Sequence, residues 1–453
     1  MKKALKKILA AIAITTISIT SLFSASAAAK DNVTLPSEVT YEMASPSYWK
    51  NISNNDDEII MTASEIKSFN NKLIANSEKT KVRKIDSLES ASYGGFSKYE
   101  SDLYINGKKI NQDDYINSFK AEHKKYKNMK YAVAVKRTVM KSWPILSPLG
   151  FSADDCDDEA AISALVVNEP IVIGGKTIVN NHLFYYATSG TCEGWVDSQD
   201  VALFSDKEAW LDAWKVKLTG KNFLVVTEDK IYLDESNTNK SVSSLELTLG
   251  TVLKLVPNSK LPENLNERGT WFNHVVYVPT RKSNGKCEMV MALIPMKYKV
   301  SIGYLPLTEN NLLDVSFTLL GKNFGWGGSL GSYDCSLFHK IIMNCFGINF
   351  PRTGNLEVVP EKFYDVSNMD DTQKIEYIKT LNVGSILYFK GFSMMYVGTI
   401  NDTPYVLCSN GFLSDSKGEV KVRNVYSVVL VPLTVRRGNG NTWLTEVYGI
   451  FSL

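Results

Sequence analysis

The feature that most constrains this chain is a succession of short runs in which apolar and polar residues alternate, cut at intervals by Gly, Pro or Asn. One group lies between Lys130 and Leu203: YAVAVKRTV, EPIVIGG, HLFYYAT and GWVDSQDVALF. A second begins at Asn222: FLVVTEDKIYL, GTVLKLVP, WFNHVVYVPTR and CEMVMALIP. Alternation at period two sends one row of side chains into a core and the next into water. Each group is therefore predicted to form a small β-barrel or sandwich. Between them, Asp206 to Lys217 has the pattern of a short amphipathic helix. The 22 tyrosines and an aromatic share of 11% agree with a strand-rich chain, because aromatic side chains suit a pleated surface.

The first 29 residues, MKKALKKILAAIAITTISITSLFSASAAA, have lysines, then an apolar stretch from Ile8 to Phe23, then small residues around Ala25-Ser26-Ala27. This pattern reads as a secretory signal peptide, and the expectation is an exported protein, periplasmic or secreted. The apolar stretch is too short and too diluted by Thr and Ser for a membrane span, and no later segment is apolar enough for one. Four of the 50 basic residues sit in that leader, which leaves 46 against 48 acidic ones. A near-neutral chain lacks the basic footprint of a nucleic-acid binder. The six cysteines are scattered without a CxxC pair, and the four histidines are far apart, so no metal or other cofactor is expected.

Residues 30–128 are polar and rich in Lys, Asn and Ser, with one clear helix signal: Thr62, followed three positions later by Glu65, opening a run to Leu73. After Gly303-Tyr304-Leu305-Pro306 the pattern changes. A helix from Thr308 to Leu320 leads into a glycine-rich loop, FGWGGSLGSYDCS, and a second helical run to Phe346. Strand patterns return at 385–389, 393–399, 404–409 and 425–433, an α+β layout. A glycine loop opening a helix could cradle phosphate, but that use calls for a Gly-Lys-Ser/Thr ending. Here the loop ends Asp334-Cys335-Ser336. A thiol in the first helical turn feels the positive end of the helix dipole, which favours thiolate, and nearby N–H groups could hold an oxyanion. A buried structural cysteine is the competing reading.

GWGG-x(5)-DCS, the helix after it, and Phe346-Gly347-Ile348-Asn349-Phe350-Pro351-Arg352 together resemble the NlpC-type cell-wall cysteine peptidases, a papain-like family. Residues 48–74 resemble the N-terminal segment of the subgroup with two bacterial SH3-like domains. YAVAVKRT, Glu169-Pro170 and Gly194-Trp195-Val196 are similar to the first such domain, FLVVTEDKIYL to the second, and GYLPLT to the lead-in of the peptidase domain. The resemblance implies a signal peptide at 1–29, an N-terminal segment at 30–128, SH3-like domains at 129–217 and 218–300, and a papain-like α+β domain at 301–453. It also implies cleavage of a peptidoglycan stem peptide between D-glutamate and a diamino acid. Cys335 falls at the nucleophile position and Asp334 at the position that reads the substrate's amino end. Ser336, Phe324 and Trp326 join them as candidate substrate contacts.

The sequence departs from that family at the base. The family's strand begins Gly-His, whereas this one reads Gly391-Phe392-Ser393-Met394-Met395-Tyr396-Val397-Gly398, with Phe392 at the histidine position. The third triad position falls on Cys408, and the tyrosine before Gly-Trp-Gly-Gly is Phe324. His339, one helical turn after Cys335, lies on an apolar face and reads as a core histidine. Ser393 is expected to point to the opposite face of the strand from the site. A positioned base contributes about 10²–10⁴ in rate. The expectation is thus a degenerate peptidase with weak or absent hydrolysis, holding stem peptides or another cell-wall protein. The alternative is an active endopeptidase with a replaced base; an exported inhibitor or scaffold is more remote. Cys335 and Cys408 could also pair as a disulfide.

Overall fold

A computed structural model describes residues 33–53, 57–91, 95–414 and 422–453. The signal peptide expected at 1–29 lies outside the described residues. The helices that matter here are α1 (Pro46–Lys50), α2 (Ala63–Ala75), α3 (Lys207–Trp214), α4 (Glu309–Phe317), α5 (Cys335–Asn344) and α6 (Asp371–Ile378). Helix α2 starts where a capping box demands it: the Glu65 N–H donates to Thr62 Oγ1, and the Glu65 carboxylate accepts from the Thr62 N–H at 2.8 Å. Helix α3 is capped by Asp206, which accepts from the Ala209 N–H at 2.8 Å.

The first alternating region forms an antiparallel sheet of seven strands: β1 (Lys124–Ala134), β2 (Thr138–Lys141), β3 (Ala161–Leu165), β4 (Pro170–Val179), β5 (His182–Thr188), β6 (Glu193–Asp197) and β7 (Val201–Leu203). Their order is β7-β1-β4-β5-β6-β2-β3. The β4–β5 hairpin turns on Asn180 and Asn181, both left-handed (φ 50° and 62°), a conformation asparagine tolerates and whose twist matches its strands. The second region forms four small sheets, three of which pack around one apolar cluster that includes Leu224, Ile231, Leu247, Val276 and Ile294. Neither region closes into a barrel among the described residues; strand pairing leaves the first sheet open at β7 and β3.

The C-terminal region carries a six-stranded antiparallel sheet: β8 (Phe363–Asp365), β9 (Ile386–Phe389), β10 (Phe392–Ile400), β11 (Thr403–Ser414), β12 (Val422–Pro432) and β13 (Gly449–Phe451), ordered β8-β13-β9-β10-β11-β12. Both of its faces are covered. On one face Ile386, Met395, Val397 and Leu407 pack in the same cluster as Leu337, Phe338 and Ile342 of α5. On the other, Leu387, Met394, Tyr396 and Cys408 pack with Ile378 of α6 and with Trp443.

The N-terminal segment belongs to the first of these cores. Trp49, Ile66, Phe69 and Leu73 are buried in it, and Trp49 lies 5.3 Å from the Tyr405 ring of β11. The Asn70 amide donates to the Gly347 carbonyl at 2.9 Å and accepts from the Asn349 N–H at 2.9 Å. These contacts tie α2 to the chain just beyond α5. Among the described residues no helix is long and apolar enough to cross a membrane.

Candidate active site

Helix α5 begins at Cys335 because Asp334 caps it. The carboxylate accepts from the Leu337 N–H at 2.9 Å, and its second oxygen accepts from the Gly327 N–H at 2.8 Å. The glycine-rich loop thus closes onto the helix start. Gly327 and Gly328 have φ of 64° and 77°, where a side chain is strained. A Cβ on Gly327 would also lie 2.6 Å from the Ala161 backbone of β3. The two glycines allow the loop to lie against the first sheet, and no phosphate cradle is needed to explain them.

That sheet also grips the loop. Arg137, in the β1–β2 turn, donates to the carbonyls of Gly328 at 2.9 Å and Ser332 at 2.7 Å. Asp157 accepts from the Trp326 N–H at 3.0 Å. Lys340 of α5, only 2% exposed, pairs with Glu169 at 2.9 Å. The loop and helix that present Cys335 are held in three places by the first β region.

Cys335 is partly buried at the floor of a cavity of about 450 Å³. Trp326, Asp334, Ser336 and Phe392 line the same cavity, as do Arg352, Glu357, Tyr388, Ser393 and Tyr448. Five of the seven residues singled out in the sequence are therefore brought together. The other two are not. Phe324 packs edge-on against Tyr426, with centroids 5.9 Å apart, and Cys408 is fully buried on the far face of the sheet. Cys335 and Cys408 are both free thiols.

The strand register assigns the β9 and β10 residues to the two faces of the sheet. Phe389 pairs with Phe392 and Leu387 with Met394, and these belong to the core on the side away from α5. Tyr388 pairs with Ser393 and Ile386 with Met395, and this set faces α5. Ser393, buried, is the β10 residue on the thiol's side. The Phe392 ring stacks on Phe389 at 5.0 Å and meets Trp443 edge-on at 5.6 Å, so it rims the cavity from the opposite core. On β11 the same parity puts Ser409 on the α5 side, and its hydroxyl donates to the Tyr333 carbonyl at 2.6 Å. The strand residues on that face that line the Cys335 cavity, Tyr388 and Ser393, carry neutral hydroxyls.

Asp334 has several partners within the protein. It is 1% exposed, and besides two backbone N–H groups it holds the Arg352 guanidinium in an ion pair. Arg352 also donates to Ser336 Oγ. A carboxylate already neutralised within the protein has little left for a substrate ammonium. Glu357, exposed at the cavity and accepting from Tyr448 Oη at 3.1 Å, is the carboxylate that faces outward. The sequence signal for Arg352 was the Pro-Arg pair after Phe350. Nothing in the local sequence marks Glu357 or Tyr448.

Burial pushes the Cys335 thiol up to about 11, and the negative charge of Asp334 adds to it. The Ser393 backbone, Arg352 and the Ser336 N–H act in the other direction and do not offset it. Desolvation at this helix start therefore outweighs the dipole. His339 is fully buried, and burial brings its imidazole down to about 3, so it is neutral. The Ser393 backbone, which also acts on the Cys335 thiol, works in the raising direction and is outweighed by burial. Its neighbours are the Phe338 and Phe350 rings, at 5.3 and 5.5 Å. The other three histidines lie in the β regions, His182 on Asp197 at 2.8 Å, His123 beside Trp195, and His274 in the strand Asn273–Arg281. Among the described residues no group of His, Cys, Asp and Glu is arranged to hold a metal ion.

A thiol at a helix start faces an antiparallel sheet, with two β regions and an N-terminal segment around it. The fold is that of an NlpC/P60 endopeptidase. A solved structure described as a novel NlpC/P60 endopeptidase from Photobacterium damselae subsp. piscicida is similar over 93% of this chain and 98% of its own, with a TM-score of 0.66 and 15% identity. No family model matches the chain, and no curated protein matches it in sequence. The NlpC/P60 architecture is thus kept over nearly the whole length at low sequence identity.

Proposed function

We propose that this chain is an exported member of the NlpC/P60 cysteine endopeptidase family whose catalytic centre is degenerate. In this reading the two β regions are SH3-like modules within the boundaries expected above, the protein acts in the periplasm or outside the cell, and its groove holds peptidoglycan stem peptides with weak or no hydrolysis. The observation that carries it is the environment of Cys335. The thiol is held up to about 11 by burial, the facing strand offers Ser393 in place of an imidazole, and His339 is sealed in an apolar pocket. Amide cleavage needs a group to take the thiol proton and return it to the leaving amine, and a neutral hydroxyl does this poorly. Binding needs less. The cavity keeps an aromatic rim in Trp326 and Phe392, and Glu357 is placed to meet a substrate ammonium.

A second reading is supported by the retained thiol itself, which lines an open cavity at a helix start: an active endopeptidase in which another group replaces the histidine. The two separate in one experiment. Mature protein and its Cys335→Ala variant are incubated with diaminopimelate-type muropeptides, and products are read by mass spectrometry while binding is followed by calorimetry. The proposal expects binding to both forms and at most a trace of Cys335-dependent product. Efficient cleavage that vanishes in Cys335→Ala would establish the second reading; no binding to either form would overturn the first.

A further inference from the structure

The groove at Cys335 does not end at Phe392. A second cavity, of about 310 Å³, adjoins the first, and Phe389, Gly391 and Phe392 line both. Its other walls come from Lys390 in the β9–β10 turn, Phe412 of β11, and Arg436, Arg437 and Trp443 in the chain after β12. Three of these residues are cations, and among the described residues no carboxylate lines the cavity. Lys390 is exposed and has no carboxylate partner among the described residues. Arg436 gives Nη1 to the Gly440 carbonyl at 2.6 Å, a neutral partner. The Arg437 guanidinium lies 4.6 Å from the centre of the Phe389 ring, which belongs to the wall shared by the two cavities. It gives Nη1 to Glu446 at 3.3 Å, and Glu446 also accepts from Asn439 and Asn441. An arginine carries five N–H hydrogens, so both guanidinium groups keep donors to spare. One carboxylate thus stands against three cations.

The Cys335 cavity has the opposite character. Asp334 and Arg352 neutralise each other there, and Glu357 is the charge that faces outward. Charge along the combined groove therefore runs from negative to positive across the Phe392 ring. Phe392, Trp443 and Phe412, the last 52% exposed, add aromatic surface beside the cations, which suits an anion carried on carbon. We propose that the second cavity is a subsite for a carboxylate of the peptide held in the Cys335 groove. The groove then reads its ligand by polarity, with an ammonium towards Glu357 and a carboxylate towards Lys390, Arg436 and Arg437. The inference rests on the reading of the groove as a peptide site and deepens it. Beyond its D-glutamyl residue a diaminopimelate-type stem peptide carries two such groups, the side-chain carboxylate of the diamino acid and the C-terminal one.

A diaminopimelate-type stem tetrapeptide is titrated calorimetrically into full mature Cys335→Ala protein in three forms: the free acid, the C-terminal amide and the amide of the diamino-acid side chain. One amide should bind about tenfold more weakly than the free acid, which also identifies the carboxylate that is held. In Lys390→Gln/Arg436→Gln that difference should largely disappear. Lys390→Glu, confined to an exposed turn, should weaken the free acid and spare that amide. Benzoate against benzamide, followed by saturation-transfer NMR, tests the subsite without the peptide: benzoate should bind the better, and Lys390→Glu should remove the preference. Peptides that bind with no difference between acid and amides would overturn the subsite and leave the peptide groove standing. An acid–amide difference that both variants keep would place the carboxylate elsewhere and overturn the proposal. Benzoate held as expected, with no peptide bound, would overturn the peptide as occupant and keep the carboxylate site.

Discussion

Cys335 shows how two forces on one side chain are ranked. Its place at the start of α5 favours thiolate, yet burial and the Asp334 carboxylate hold the proton on, up to about 11. Its alkylation by iodoacetamide should accordingly keep rising with pH towards 11, without a plateau near neutrality. At pH 7.5 the rate should lie about a hundredfold below that of an exposed model thiol, since each pK unit is a factor of ten in thiolate. A plateau below pH 8 would mean an activated cysteine. Ser393 gives the second test at this scale. Its side chain faces α5 while Phe392 faces the opposite core, so Ser393→His should raise Cys335-dependent cleavage of muropeptides and Phe392→His should not. The reverse outcome, in folded variants, would restore Phe392 as the base position.

At the scale of elements, the loop before Cys335 is held by Arg137, whose guanidinium satisfies two loop carbonyls from a different sheet. Burial lowers its pKa somewhat, but an arginine stays charged, and charge-assisted bonds of this kind contribute about 1.5–3 kcal/mol each. Arg137→Met should therefore leave both sheets folded and increase amide hydrogen exchange across 326–333, with local opening easier by about 2–4 kcal/mol. Unchanged exchange there would show that the glycines and Asp334 hold the loop without help. The helix cap at Thr62 was legible in the sequence, because a capping box depends on residues three positions apart. The Arg137 grip was not, because it joins positions 191 and 195 residues distant.

At the scale of the molecule, the polar-looking segment before residue 129 turns out to contribute to the core of the C-terminal region. Trp49 is 1% exposed and packs with Tyr405, Leu312 and Val397 in a single cluster. Trp49→Ala should cost about 3–5 kcal/mol and lower the melting transition of the C-terminal region, as read by near-ultraviolet circular dichroism. A transition that does not move would mean that the segment merely rests on the surface. The same assembly creates a cavity lined by Asp86, Asn168, Trp214 and Lys340, whose positions span most of the chain.

The sequence by itself determined the elements: alternating runs made strands, Thr62 and Asp334 started helices, and the Gly-rich loop led directly to Cys335. These follow from neighbours within a few positions, where sterics and capping act. The tertiary structure alone decided which face of β10 meets the thiol. Phe392-Ser393-Met394-Met395-Tyr396-Val397 is mostly apolar on both faces, because α5 covers one side of the sheet and Trp443 and α6 cover the other. A strand buried on both sides carries no alternation to read, so its facing is set by register with β9 and β11. For the same reason the pairing of Asp334 with Arg352 became visible only once the chain was packed.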